Sequence, residues 1–459
     1  MKPNPAKITE DNMILSTDFY QMTMIAAYFQ YNLENNILPE DDESVFELFV
    51  RTLPDNRNYL IFAGLEQIIH YLQHARFSEK TIEYLRDRAD FRNINDYFFD
   101  EYLPSFGFDL DVWAMEEGQV FFPNEPVLRV RGPSMQAQLI ESYIISVMNF
   151  QTIVATKASR IREVAPGKVL LEFGTRRGHS PQAGIYAARA SYIGGFDGTS
   201  NVAADFELGI NASGTMAHSF IEKFGETRAF DIYYNYYKED TILLIDTYDI
   251  TKGAKRATKF GNNIKGVRID SGDLAKEAKN VRKILDEKGL DDVSIVLSSN
   301  LDEYKIKHLL EKNTPVNAFG IGTELITSSD APKLGAVYKL MEYNKEPRMK
   351  ISEGKITYPG RKQVYRFYNS EGSIRDDLLE LANEKAPSNG DPLLTPIMKQ
   401  GKLTYEFPSL DEIRNFCKEN LKKLPDEFKD LKKRDLQPLK ISKSVQKIRD
   451  ELLHKHNLD

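Results

Sequence analysis

Residues 265–303 read KGVRIDSGDLAKEAKNVRKILDEKGLDDVSIVLSSNLDE, and this stretch decides the fold class. Two short apolar runs, KGVRIDSGDL (265–274) and VSIVLSSNLDE (293–303), each end in polar or glycine residues. Between them KNVRKILDEKG (279–289) carries the apolar period of an amphipathic helix. Strand, helix, strand in that order makes parallel strands joined by a helical crossover. The same texture recurs in KVLLEFGTRRG (168–178), TILLIDTYDI (241–250) and VNAFGIGTELI (316–326). These runs are apolar on both faces, as buried parallel strands must be. The class is therefore α/β. An open sheet and a βα barrel both fit, and in both the active site belongs at the C-terminal strand ends, where the polar residues gather.

Before Pro166 the texture differs. Residues 14–31 read as an apolar helix that Ser16 and Thr17 can cap. SVFELFVRTL (44–53) alternates like a strand, and 65–88 carries helical periodicity. Residues 113–131 alternate again, broken by Gly118 and Pro123, and suggest short strands. The 135–164 stretch is one long helix or two, basic towards its end at Lys157, Arg160 and Arg162. Short strands are expected around 349–368. Beyond Gly390 a stretch rich in lysine, aspartate and glutamate reads as a peripheral segment with a solvated face.

At 459 residues, 41% of them hydrophobic, the chain has matter for two or three packed units. A net charge of −7 and the lack of a basic stripe argue against nucleic acid as a partner. No apolar run approaches the roughly 20 residues that span a bilayer. Residues 1–12, MKPNPAKITEDN, lack the apolar centre of a secretory signal. Cys417 is the only cysteine, which excludes an intramolecular disulfide and a cysteine-based zinc site. A cytoplasmic setting is expected.

Five groups gather at the strand ends, and each has a plain structural use beside the chemical one. Arg176 and Arg177 lie between Gly174 and Gly178. Planar guanidinium forks suit phosphate or carboxylate, but such a turn can also be solvated surface. Gly194, Gly195 and Gly198 surround Asp197, with Thr199 and Ser200 following. That is either a loop whose backbone binds a ligand or a turn before a helix capped by Ser200. His218, in SGTMAHSF (213–220), is a candidate nucleophile or base, although a lone histidine is more often structural. His70, His74 and His308 fall on amphipathic helices, and His454 and His456 in the charged tail. Asp246 and Asp249, with Arg268, Asp270 and Asp273, offer carboxylates to magnesium or to a cationic sugar carbon; helix capping is their other use. Gly320, Gly322 and Thr323 can cradle a phosphate, although the P-loop spacing is absent. Together these groups describe an enzyme of phosphorylated sugars on a βα scaffold.

STDFYQMTM (16–24), FELFVRTLP (46–54), EFGTRRGHSPQAG (172–184), GTSNVA (198–203), GTMAHSF (214–220), RIDSGDL (268–274) and GIGTELITSSDAPKLGAVYKL (320–340) resemble, in order, the signature segments of the nicotinate phosphoribosyltransferase family. The resemblance implies an irregular, incomplete βα barrel with a second α/β domain built from N- and C-terminal segments. Residues 1–130 are then the N-terminal domain, 131–341 the barrel, and 342–459 a segment packing with the N-terminal domain. It implies ATP-dependent formation of nicotinate mononucleotide from nicotinate and 5-phosphoribosyl 1-pyrophosphate in NAD salvage, with magnesium, by a homodimer with shared active sites. By this resemblance His218 is the histidine phosphorylated by ATP. Tyr20, from the partner subunit, and Phe173 stack on the two faces of the pyridine. Thr215 and Arg268 contact nicotinate, and Arg176 lies near the phosphates. Asp246 and Asp270 lie near magnesium and the pyrophosphate, and Gly320, Gly322 and Thr323 hold the ribose 5-phosphate. Ser200 stands where nicotinamide-using relatives place an aspartate. A hydroxyl donates to a carboxylate that aspartate would repel, and Arg177 adds a further positive charge, so the acid is the expected substrate. A nicotinamide phosphoribosyltransferase and a non-catalytic sensor of phosphoribosyl metabolites are the alternatives.

Overall fold

The computed structural model describes residues 10–38, 41–352 and 357–455. Residues 1–9, most of the stretch read against a secretory signal, and His456 lie outside them. The chain forms two compact units, one of residues 1–152, 333–409 and 419–459, the other of 153–332 and 410–418.

The second unit is built on a six-stranded sheet in which every pairing is parallel. Across the sheet the strands run Gly198–Thr199, Val169–Glu172, Ala318–Ile321, Ser294–Leu297, Gly266–Ile269 and Ile242–Leu244. Leu170, Leu244, Val267, Ile269, Leu297 and Phe319 are fully buried, each burial worth about 1.5–3 kcal/mol. Helices Pro181–Ile193, Ile250–Ala257, Leu274–Asp286 and Glu303–Glu311 carry the chain between strands. Each opens on a side chain that accepts a backbone N–H: Ser180, Asp249, Asp273 and Asp302. Asp249 and Asp273 are therefore helix caps. Because all six strands point the same way, their C-terminal ends share one edge of the sheet. No pairing joins the outermost strands, Gly198–Thr199 and Ile242–Leu244, among the described residues.

The basic end of the 135–164 stretch is interior to this unit. The stretch forms two helices, Ser134–Leu139 and Glu141–Val164. Lys157 Nζ lies 2.6 Å from Glu303 Oε2 and 2.8 Å from Asp330 Oδ1, and Arg160 Nε donates to Glu303 Oε1 at 3.0 Å. Lys157, Arg160 and Glu303 are almost wholly buried, so each charge is tolerated there only because the others neutralise it. Asp197 accepts from Arg162 and from Arg414, both at 2.6 Å, and from Leu170 N at 2.9 Å. Arg414 brings residues 410–418 into this unit, so the charged C-terminal stretch is not wholly peripheral. A Cβ at Gly194 would meet Ala155 O at 2.4 Å. That glycine and Asp197 are occupied by packing and ion pairing.

The first unit holds a seven-stranded antiparallel sheet in which early and late parts of the chain alternate. Glu43–Val50 lies between Ala336–Tyr343 and Pro126–Pro133, while Thr395–Lys399 pairs with Asp111–Ala114. Glu43–Val50 is buried on both faces rather than one, because Lys362 reaches its inward Glu47 at 2.8 Å and neutralises it. The N-terminal helix spans Phe19–Glu34, with Asp18 at its cap position and no side-chain cap bond. Ser16 and Thr17 do not cap it; Thr17 Oγ1 donates instead to Leu139 O at 3.4 Å. The 65–88 stretch forms two helices, Leu65–His74 and Glu79–Arg86. Among the described residues no helix is long and apolar enough to cross a membrane.

Candidate active site

At the shared strand edge of the second unit, four side chains form a linked set. Arg268, on strand Gly266–Ile269, donates through Nη1 to Thr215 Oγ1 at 2.7 Å. Its Nη2 lies 3.9 Å from Asp270 Oδ2, and His218 Nε2 lies 3.8 Å from the same oxygen. His218 begins the short helix His218–Phe224, and its Nδ1 is 3.0 Å from Thr247 Oγ1. The ring is 42% exposed, so Nε2 can be approached from solvent. Burial lowers the Arg268 guanidinium from its usual value; Asp270 and Asp246 work against that shift and Arg176 adds to it.

Asp246 and Asp270 are joined through the backbone. Asp246 Oδ2 accepts from Asp270 N at 2.9 Å and from Ser271 Oγ at 2.6 Å, and Ser298 Oγ donates to Asp270 Oδ1 at 2.6 Å. Asp246 Oδ1 is buried with no hydrogen-bond partner among the described residues, an orphaned acceptor of the kind a cation would satisfy. No group of three or more His, Cys, Asp or Glu suited to a metal occurs among the described residues. Two carboxylates alone fit magnesium only if substrate oxygens and water complete its shell, which is its usual habit.

Further along the same sheet, beyond Ser294–Leu297 and Ala318–Ile321, lies the end of strand Val169–Glu172. Phe173 N donates to Ile321 O at 2.8 Å, and the half-buried Phe173 ring packs on Gly320, where a Cβ would sit 2.4 Å from Cδ2. A Cβ at Gly322 would meet Phe173 O at 2.9 Å. Both glycines are required by this close approach. Thr323 begins the short helix Thr323–Ile326 that follows. Arg176 and Arg177 are exposed on the turn Thr175–Arg177. Ser200 is half-buried, its N–H donating to Glu172 O at 2.8 Å.

Phe173, Ser200, Thr215, His218, Asp246, Arg268, Asp270, Gly320, Gly322 and Thr323 therefore belong to one unit, Thr215 and His218 before and at the start of helix His218–Phe224 and the others at or just beyond strand ends. Tyr20 belongs to the other unit, 48% exposed on helix Phe19–Glu34, with its hydroxyl 3.4 Å from Glu141 Oε2. Three further residues hold the site without a strong signal in the sequence: Thr247 beside His218, Ser298 beside Asp270, and Glu172. An acid closing an otherwise apolar strand was the one available signal, and it marked Glu172. Threonine and serine at strand ends are too common to stand out.

Three segments match family models: residues 15–149 the nicotinate phosphoribosyltransferase N-terminal domain, 169–364 the nicotinate phosphoribosyltransferase family, and 390–449 the C-terminal domain. The chain is 40% identical over 425 residues to a nicotinate phosphoribosyltransferase of Mycobacterium tuberculosis, covering 91% of this chain and 89% of that protein. It is 36% identical to the nicotinate phosphoribosyltransferase of Bacillus subtilis, covering 97% and 96%. Human nicotinic acid phosphoribosyltransferase superposes with a TM-score of 0.84 at 28% identity, over 95% of this chain and 99% of that one. Nicotinate-nucleotide pyrophosphorylase of Pyrococcus furiosus superposes with a TM-score of 0.74 at 30% identity, over 92% and 99%.

Proposed function

The chain belongs to the nicotinate phosphoribosyltransferase family of enzymes, and from this we propose that it joins nicotinate to 5-phosphoribosyl 1-pyrophosphate, releasing pyrophosphate and forming nicotinate mononucleotide for NAD salvage. The convergence of Arg268, Thr215, Asp270 and His218 supports this reading best. The pyridine nitrogen attacks C1 of the ribose, and the C1–oxygen bond breaks with its electron pair leaving on pyrophosphate. That nitrogen is already nucleophilic, so the protein contributes orientation and charge stabilisation. Arg268 and the Ser200 hydroxyl hold the nicotinate carboxylate, and Phe173 supports one face of the ring. Tyr20 from a second copy covers the other face; exposure of Phe19 and Tyr20, 44% and 48%, suits a homodimer. Arg176 with Gly320, Gly322 and Thr323 receives the phosphates, and Asp246 and Asp270 stabilise positive charge at C1. Asp246 and Asp270 are also the residues that would hold magnesium, which when bound offsets the charge of the pyrophosphate. The parallel sheet is read as an incomplete βα barrel, and the protein as cytoplasmic.

ATP enters as co-substrate. With Nδ1 engaged by Thr247, Nε2 of His218 attacks the γ-phosphorus and the bond to the ADP oxygen breaks. The phosphoryl group adds a charge on the order of −2 beside Arg268. Its hydrolysis releases product and biases the equilibrium towards synthesis. The test is formation of nicotinate mononucleotide from labelled nicotinate and the ribose donor, with and without ATP, beside an equal reaction with nicotinamide. Equal or better use of the amide would overturn the choice of substrate.

A further inference from the structure

Glu172 is wholly buried at the end of its strand, and its carboxylate bonds to no side chain assigned to substrate. One carboxylate oxygen accepts from Gly174 N, in the turn that carries Arg176 and Arg177. The other accepts from Thr199 Oγ1 at 2.6 Å, in the loop that carries Ser200. Thr199 Oγ1 in turn accepts from Asn201 N at 3.0 Å, and Asn201 Nδ2 donates back to Thr175 Oγ1 at 3.2 Å. The circuit closes on itself: the arginine turn and the Ser200 loop are tied at both ends, and the backbone of Ser200 is tied to Glu172 O in the middle. No bond of the circuit uses the Ser200 hydroxyl or the Arg176 and Arg177 guanidiniums, which have no hydrogen-bond partner among the described residues. Burial raises the Glu172 carboxyl above its usual range, against the bonds from Thr199 and Gly174; an acid buried at that cost, where an apolar residue would serve packing as well, is explained by what it aligns.

We infer that Glu172 is a positioning residue which, through Thr199 and Gly174, fixes the Ser200 hydroxyl relative to the arginine turn and so sets the preference for a pyridine carboxylate over a pyridine carboxamide. The inference deepens the proposed function and rests on it. An ångström of slack in the Ser200 hydroxyl, which with Arg268 grips the nicotinate carboxylate, is enough to lose discrimination.

Purified full-length enzyme carrying Thr199→Val, which removes the hydroxyl at nearly constant volume, is compared with Thr199→Ser, which retains it. Steady-state kinetics with nicotinate and nicotinamide should show Thr199→Val raising KM for nicotinate about 10-fold, with kcat within about 3-fold, and lowering the nicotinate-to-nicotinamide ratio of kcat/KM about 10-fold. Thr199→Ser should restore both. If Thr199→Val does not fold, Thr175→Val loosens the same circuit from its more exposed side and should move the same two quantities about 3-fold. A folded variant with unchanged KM and unchanged ratio overturns the inference. So does a loss confined to thermal stability, or one that serine does not rescue. Wild-type enzyme that turns over no nicotinate removes the proposed function, and the inference with it.

Discussion

A methyl group at Gly320 would sit 2.4 Å from Cδ2 of Phe173, so Gly320→Ala should push the ring out of its seat. The expected result is a rise of about 10-fold in KM for nicotinate, read by initial rates at saturating ribose donor. His218→Ala should abolish ATP hydrolysis and ATP stimulation while leaving slow synthesis of the mononucleotide; ATP acceleration at the wild-type level would dismiss the phosphohistidine. Ser200→Asp places a second negative charge against the substrate carboxylate and should raise KM for nicotinate about 10- to 100-fold, or about 1.4–2.8 kcal/mol. The acids show what can be read at this scale. IDTYD and IDSGD each carry two aspartates three residues apart, and residue type alone leaves all four with the same two uses. In the folded chain Asp246 and Asp270 meet each other while Asp249 and Asp273 turn to cap the next helix. The first of each pair closes its strand and the second sits where a helix must begin, so position within the βα turn decides the role.

Strands are legible where apolar residues run unbroken. The parallel strands announce themselves because both faces are apolar. Glu43–Val50 alternates in sequence yet is buried on both faces, and nothing nearby in the chain signals it, because the partner of Glu47, Lys362, lies more than three hundred residues away. The basic end of Glu141–Val164 was visible as charge, but its destination was not, since Glu303 and Asp330 come from other elements. Replacing Glu303 tests that cluster. Glu303→Leu leaves Lys157 and Arg160 buried without their shared acid and should destabilise the protein by about 3–5 kcal/mol. Urea unfolding should show the midpoint falling with little change in slope; an unchanged midpoint would mean that Asp330 and solvent suffice.

The whole molecule is assembled from segments out of chain order. Ala336–Tyr343 and Thr395–Lys399 complete a sheet begun by Glu43–Val50, Asp111–Ala114 and Pro126–Pro133, and residues 410–418 return to the unit of 153–332. A change of texture along the sequence marks where one kind of element gives way to another. It does not tell which earlier strand a later one will pair with, so this interleaving became visible only in three dimensions. A chain ending at residue 394 lacks the strand beside Asp111–Ala114 and the Arg414 partner of Asp197. It should lose the cooperative thermal transition of the full chain by calorimetry, and a transition of normal enthalpy would contradict that dependence.

The pairing of Glu43–Val50 also dictates a timetable. During translation its first neighbour, Pro126–Pro133, emerges early, but the second emerges only after residue 343. At 5–20 residues per second that leaves the opposite edge of this strand bare for on the order of 10–40 s. Throughout that interval the nascent polypeptide offers a ready template to any other extended chain nearby, and every strand of the parallel sheet is made before Ala336–Tyr343 arrives to close that edge.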